Sequence, residues 1–349
     1  MLAARLYGKE DLRVENIADP EIGPGELLLK VKAATVCGTD IRMYKNGFTG
    51  ISAQSPLIPG HELSGVIERT GGQISHYREG MRVAVAPNLG CGICDLCVSG
   101  NTQLCPDSRA LGINIDGGFA EYLRIPEGAV RQGNVVELMP EISFAEAAMA
   151  EPLSCVFNAF ERCHVQAGQV VLIIGSGPIG LMHAKLAKMA GAARVIMNDL
   201  REERLDLSLK LEDGLLAVAG SETLKESVLE MTDGRGVDVC IVACPSPRAQ
   251  RYSLELAAVN GTVCFFGGLP VTVSEVPLNT NLIHYRQLTV TGTTRSSLRQ
   301  YRKTLKLMGE GLIRIGNLIS VRYPLLEVNK AFQSAIQGIG LKNAVELPD

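Results

Sequence analysis

The 349-residue chain has no tryptophan and only 8 Phe and 8 Tyr. A pocket walled by aromatic rings is therefore not evident. Long apolar runs are also missing. The longest stretches, such as Val170 to Ile174, stop far short of the ~20 residues that span a bilayer. No excess of either charge is present. The 34 basic and 37 acidic residues give a net charge of −3 and are well mixed, so nothing points to a nucleic-acid backbone or a charged membrane surface. The opening MLAARLYGKEDLRVENIADP alternates polar and apolar residues and lacks the apolar core of a secretory signal. These absences predict a cytoplasmic protein with neither nucleic acid nor membrane as partner. No internal repeat or low-complexity linker is visible.

What is present is the balance of a folded chain: 46% hydrophobic against 20% charged residues, at a length suited to two domains. The 37 glycines imply many tight turns and close backbone approaches. The ten cysteines sort into two kinds. Cys91, Cys94, Cys97 and Cys105 cluster, whereas Cys37, Cys155, Cys163, Cys240, Cys244 and Cys264 are scattered. Clustered thiols in a cytoplasmic chain read as metal ligands. Cys240 in VDVCIVAC and Cys264 in TVCFFGG sit in strand-like apolar runs and read as buried packing residues.

The first ~150 residues read as β-rich. GELLLKVKAATVCGTD, ELSGVIERTG and MRVAVAP have the alternation of half-buried strands, and Gly and Pro punctuate them at intervals that suit a small barrel or sandwich. From about Ala150 the pattern changes. SFAEAAMAEPLSCVFNAFERC has helical spacing. QVVLIIG, RVIMND, GVDVCIVAC and GTVCFFGG are strands, separated by the helices PIGLMHAKLAKMAGA, REERLDLSLKL and PRAQRYSLELAAV. Strands alternating with helices predict a doubly wound parallel sheet, an α/β fold with a β-rich part in front. LTVTGT adds a strand, LRQYRKTLKLMGEG an amphipathic helix, and SVRYPLLEVNKAFQSAIQG a last strand and helix.

The strand VVLIIG runs directly into Gly175-Ser176-Gly177-Pro178-Ile179-Gly180, which opens a helix. This is G-x-G-x-x-G in the context it requires. The first glycine permits the turn, the second lets the backbone approach a pyrophosphate, and the third allows helix and strand to pack closely. The helix N-terminus offers free N–H groups to the phosphates. The next strand ends at Asp199, nineteen positions after Gly180. A carboxylate there accepts from ribose hydroxyls and repels a 2′-phosphate, which favours NAD over NADP. Arg201 and Arg204 lie beside it.

Cys91-x2-Cys94-x2-Cys97-x7-Cys105 can close four tetrahedral positions around one ion, as a structural zinc site does. A second, dispersed set comprises Cys37 in VCGTD, His61 and Glu62 in PGHEL, and Glu151 in AEPL. One thiolate, one imidazole and one or two carboxylates can hold zinc with an open position, which then polarises an alcohol or carbonyl oxygen. Thr39 lies two residues from Cys37 and can hydrogen-bond that oxygen.

With VCGTD, GHELSGVI, the four-cysteine lobe, DGGFAEY, EPLS, GSGPIG and Asp199 in this order, the chain resembles the zinc-dependent medium-chain dehydrogenases, in the polyol branch that includes sorbitol and threonine dehydrogenases. The resemblance implies a GroES-like catalytic domain over 1–151 with a structural zinc lobe at about 88–107. A Rossmann NAD-binding domain follows over 152–294, and the chain returns to the catalytic domain over 295–349, with the active site between the domains. It implies two zinc ions per chain. The catalytic one is held by Cys37, His61 and Glu62. Glu151 is either a fourth ligand or the holder of the zinc-bound water. The resemblance further implies a homo-oligomer, dimer or tetramer, through sheet edges near LTVTGT. One departure stands out. Family members often carry His five residues after the zinc cysteine to pass a proton to solvent, and here that residue is Arg42, which stays charged. Either water completes the relay through Thr39 and the ribose, or another group serves, and Arg42 instead binds a cofactor phosphate or an anionic substrate group.

Oxidation of a secondary alcohol of a neutral polyol or sugar derivative is the first reading, with Thr39 taking the proton. L-threonine oxidation and oxidation of a sugar acid or polyol phosphate are the alternatives. Polar candidates for the substrate are Arg42, Tyr44, Asn46, Arg295 and Ser296. A non-catalytic, zinc-stabilised NAD-binding protein is the rival of another class, and metal content separates the two.

Overall fold

The computed structural model describes residues 1–270, 272–273 and 275–347. The chain divides into two compact units: Met1–Ser154 together with Ser296–Asp349, and Cys155–Arg295.

The first unit is built on a seven-stranded sheet. Its strands run in the order Ile319–Pro324, Lys342–Glu346, Leu27–Thr35, Glu62–Thr70, Arg82–Val85 and Val135–Glu137, with Tyr122–Ile125 also pairing with Leu27–Thr35. The Lys342–Glu346 strand, near the far end of the chain, lies antiparallel to Leu27–Thr35, with Ala344 opposite Thr35. That pairing brings residues some 300 positions apart into one core. Leu27, Leu29, Val31, Leu63, Ile67, Phe119, Phe332 and Val345 are all buried in it. Phe332 meets Phe119 and Tyr44 edge-on, both at 5.7 Å between ring centroids.

The Cys155–Arg295 unit holds a six-stranded sheet whose neighbours are parallel. Its order is Leu215–Ala219, Arg194–Asp199, Val170–Ile174, Val237–Val242, Ala257–Phe265, Thr289–Gly292. The order reverses direction beside Val170–Ile174, so the crevice of a doubly wound sheet opens at the C-terminal end of that strand. Leu172, Ile196, Cys240, Val242, Leu254 and Val263 fill its core. Cys240 and Cys264 are fully buried.

Three local readings of the sequence are corrected. The helix over SFAEAAMAEPLSCVFNAFERC is two, Phe144–Ala148 and Ala150–Cys163. Pro152 explains the break: it lacks an N–H and is tolerated only in a first turn. The helix opening at Pro247 ends at Leu256, and Ala257–Phe265 is strand, because Ala257 pairs with Val237. The strand Leu215–Ala219 and helix Leu224–Met231 had no clear signal, since that strand closes one end of the sheet and is half exposed.

His183, on the Pro178–Met189 helix, packs edge-on against Phe266 at 4.8 Å and its Nε2 has no partner. Burial pushes its pKa down to about 3. The unfolded chain takes up a proton near pH 6.5 that the folded chain refuses, so this residue costs stability as the pH falls from 6.5 toward 3 and nothing above 6.5. The cost rises by about 1.4 kcal/mol per pH unit, or about 3 kcal/mol between pH 6.5 and 4. Denaturant unfolding at both pH values should show the wild type losing that much more stability than His183→Leu. Equal losses would reject it.

Candidate metal centres and dinucleotide loop

VCGTD starts a helix. Cys37 precedes Gly38–Asn46, and Asp40, its third residue, reaches back to accept from the Cys37 N–H at 2.8 Å. This is the acid half of a capping box. Asp40 is fully buried, and its second oxygen accepts from the Gly60 N–H at 3.3 Å and lies 3.5 Å from His61 Nδ1. The carboxylate therefore ties the cysteine to the loop that carries the histidine. That loop is held from its other side by DGGFAEY. Asp116 accepts from the Ile58 N–H at 3.0 Å, and a Cβ on Gly117 would stand 2.4 Å from the Gly60 carbonyl, so only glycine fits.

Ligand atoms of Cys37, His61 and Glu62 all lie within 4.8 Å of one another, although Cys37 is some 25 residues from the other two. Glu151 is buried in the first turn of the Ala150–Cys163 helix but does not belong to that group. His61 Nδ1 is buried without a hydrogen bond. Burial works against charge on its ring, but the Cys37 and Asp40 side chains outweigh it and hold the pKa well above the ordinary value.

Glu62 is fully buried and receives Lys342 Nζ on both oxygens, at 2.7 and 2.6 Å, and the Thr35 hydroxyl on one. Burial works to lower the Lys342 pKa, and the neighbouring Glu62 raises it above the usual value. In the forms a metal takes, with Cys37 as thiolate and His61 neutral, Cys37, Asp40 and Glu62 bring three negative charges against the one positive charge of Lys342. The deficit of two matches one divalent ion. Asp40, Lys342 and Thr35 were not singled out from sequence. Asp40 was legible as the third residue of a helix start, whereas Lys342 had no local signal at all.

In the second cluster Cys91, Cys94, Cys97 and Cys105 also lie within 4.8 Å of one another. The Asp95–Val98 helix and the turn Thr102–Leu104 fold them together. Two of the separations are 4.0 Å (Cys91–Cys97) and 3.8 Å (Cys94–Cys105). A tetrahedron with metal–sulfur bonds of about 2.3 Å has edges of about 3.8 Å, so the pocket fits zinc and leaves no open position. The N–H groups of Ile93 and Cys94 pull the Cys91 thiol down to about 7, which favours the thiolate that a metal takes.

The glycine loop is formed as the motif requires. Gly175 has φ +111°, and a Cβ on Gly180 would meet the Gly175 carbonyl at 1.8 Å. Gly177 caps the helix and Pro178 is its first residue, followed by Ile179. Asp199 accepts from the Ser176 N–H at 2.8 Å and the Arg201 N–H at 3.0 Å, which aims the carboxylate at the loop. Arg204 lies over Gly177, and its buried Nε has no partner.

The substrate candidates part company. Arg42 is exposed and donates to Thr39 Oγ1 at 2.8 Å. Tyr44 is half-buried, and its ring packs edge-on against Phe332, because two positions past Arg42 it falls on the core side of the helix. Asn46 is exposed at the end of that helix. Ser296 is buried, 2.6 Å from the Ser154 hydroxyl. Arg295 is exposed with φ +54°, and its carbonyl accepts from Asn158 at 2.9 Å. A left-handed arginine is unusual and marks a constrained corner.

Two family models match: the alcohol dehydrogenase GroES-like domain over residues 23–135 and the zinc-binding dehydrogenase over 178–310. A sorbitol dehydrogenase of Bacillus subtilis is 32% identical over 97% of this chain and 94% of its own length. An L-threonine 3-dehydrogenase of Bacillus licheniformis is 33% identical over 95% and 94%. Among solved structures, a zinc-binding dehydrogenase of Sinorhizobium meliloti bound to NADP aligns with a TM-score of 0.89 at 30% identity, over 99% of this chain and 98% of its own.

Replacing Lys342 with Met leaves the Glu62 charge buried without a partner. Stability should fall by about 3–5 kcal/mol, and adding Glu62→Gln should recover part of the loss. Denaturant midpoints of the two variants check this, and an unchanged Lys342→Met midpoint would contradict the charge balance.

Proposed function

The chain belongs to the zinc-dependent medium-chain dehydrogenases, in the branch of the sorbitol and threonine enzymes, and on that premise we propose that it oxidises a secondary alcohol of a polyol or sugar derivative with NAD. One observation carries the reading: Cys37, His61 and Glu62 converge in a buried group with a charge deficit of two, and three protein ligands leave room for a substrate oxygen.

Cys37, His61 and Glu62 would hold the catalytic zinc, and Cys91, Cys94, Cys97 and Cys105 the structural one. Zinc at the open site supplies Lewis-acid polarisation of the substrate oxygen. Asp40 orients His61, and Lys342 with Thr35 fixes Glu62, so the donors are set before substrate arrives. Thr39 would place a hydroxyl beside the reacting oxygen, accept a hydrogen bond from it, and relay the proton by passing its own through the ribose to water. Glu151, outside the three-ligand group, would be either a fourth ligand or the holder of the zinc-bound water. Gly175, Gly177, Pro178, Ile179 and Gly180 receive the pyrophosphate, assisted by Arg204. Asp199 selects the ribose hydroxyls of NAD over a 2′-phosphate. The Sinorhizobium structure is NADP-bound, so the NAD reading rests on that carboxylate and not on the relatives.

L-threonine remains the second reading, favoured by the threonine dehydrogenase relative. No described helix is long and apolar enough to cross a membrane, and all ten cysteines are free, which supports the reducing cytoplasm. Thr289–Gly292 ends its sheet with an open ladder edge, and we place the contact of a homo-oligomer, dimer or tetramer, there.

Metal analysis of purified protein should give two zinc ions per chain. Cys37→Ser should leave one and lower turnover, followed by NADH absorbance, by about 10³-fold or more, whereas Cys97→Ser should lose the other ion and stability first. Full turnover by Cys37→Ser would refute the zinc role. Asp199→Ala should narrow the preference for NAD over NADP at least tenfold in kcat/KM, and an unchanged ratio would reject its assignment.

A further inference from the structure

Arg42 stands where the family often has a proton-relaying histidine. Its guanidinium is exposed and gives one N–H to Thr39 Oγ1 at 2.8 Å. No carboxylate of a described residue pairs with it. The one acid on its own helix, Asp40, is fully buried and turned inward to the Cys37 and Gly60 N–H groups and His61. Asp40 is therefore not available to neutralise Arg42. Lys45, one turn on, adds a second exposed cation, and that one is accounted for by the carbonyl end of the helix. Arg42, in the middle of the helix, has no such account.

Resting on the dehydrogenase reading, we propose that Arg42 is a substrate-specificity residue that binds an oxyanion, carboxylate or phosphate, on the same molecule whose carbinol is oxidised. Four of its five N–H groups remain, in a planar fork that fits either anion with two hydrogen bonds. Thr39 links that fork to the reacting oxygen. A hydroxyl held by Thr39 and an anion held by Arg42 are separated by one hydrogen-bonded pair, so the anionic group lies roughly one to three carbons from the carbinol. A sugar acid, a polyol phosphate and L-threonine meet this condition, and a neutral polyol does not. The cofactor's phosphates already have the glycine loop and Arg204, so they do not call for Arg42.

The test uses the zinc-loaded enzyme with a neutral polyol, the matching sugar acid, the matching polyol phosphate, and L-threonine beside its uncharged amide. The readout is the ratio of kcat/KM for each charged member to its uncharged partner. The wild type should prefer at least one charged member by tenfold or more. Arg42→Gln should cut that ratio ten- to a hundredfold, and Arg42→Lys should cut it less. The pair with the largest drop names carboxylate or phosphate. Calorimetric binding of the sugar acid, the phosphate and L-threonine gives the same answer without turnover: Arg42→Gln should weaken at least one at least tenfold. A ratio and a binding constant unmoved by Arg42→Gln overturn the inference, as does a change confined to the KM for NAD. Oxidation of neutral polyols alone leaves the dehydrogenase reading standing and removes only this one. Absence of turnover on every alcohol, by protein carrying two zinc ions, removes the dehydrogenase reading instead.

Discussion

The most demanding constraint in this molecule is electrostatic. Asp40 and Glu62 are fully buried, His61 nearly so, and Cys37 stands beside them. Taking a carboxylate out of water costs several kcal/mol unless it is paired and hydrogen-bonded. Lys342 answers one charge. The backbone N–H groups of Cys37 and Gly60 stabilise a second, and His61 gains a proton when nothing else is available. Only a divalent ion answers the whole set, and zinc suits a thiolate, an imidazole and a carboxylate.

That constraint explains features of the fold that look unrelated. Lys342 reaches Glu62 because the strand Lys342–Glu346 pairs with Leu27–Thr35, which in turn pairs with the strand that starts at Glu62. The two ends of the chain are thereby needed at one carboxylate. The glycines of DGGFAEY have the same purpose at backbone level. Gly117 gives way to the Gly60 carbonyl, and Gly118 to Leu63, so the loop bearing His61 and Glu62 is clamped on both sides. Metal binding adds to the stability of such an arrangement, because the counter-charge offsets the cost of burying these side chains that the strand pairing and the clamped loop hold together.

Much of this was legible in the sequence, but unevenly. The glycine loop and Asp199 were readable because their physics is local: strand, turn, helix and acid follow one another, and the clash at Gly180 is with a carbonyl five residues back. The four-cysteine lobe was readable for the same reason. The three-ligand group was less readable, because Cys37, His61 and Glu62 are joined by strand pairing rather than by proximity in the chain; residue types suggested the set, and family resemblance narrowed it to these three. Lys342 was invisible, since nothing in KNAVELP differs from any short strand. The contact of Tyr44 with Phe332 was likewise hidden, because composition counts a tyrosine as polar and only the phase of the helix turns its ring toward that core.

The two metal clusters differ in a way that follows from their ligands. Four thiolates within 4.8 Å of one another more than offset the charge of a divalent ion, fill its tetrahedral positions and sit on short turns that have little other structure to hold them. That cluster can organise only its own lobe. The Cys37, His61 and Glu62 group is set on the sheet and on a capped helix, so its geometry is enforced by the surrounding core rather than by the ion. A site whose scaffold is rigid without relying on a full ligand set can leave one position open. The same helix that fixes Cys37 carries Thr39 and Arg42 outward from it. The candidate metal ligand and the exposed Arg42 are thus placed on one rigid element, with Cys37 at its start and the guanidinium one turn further out.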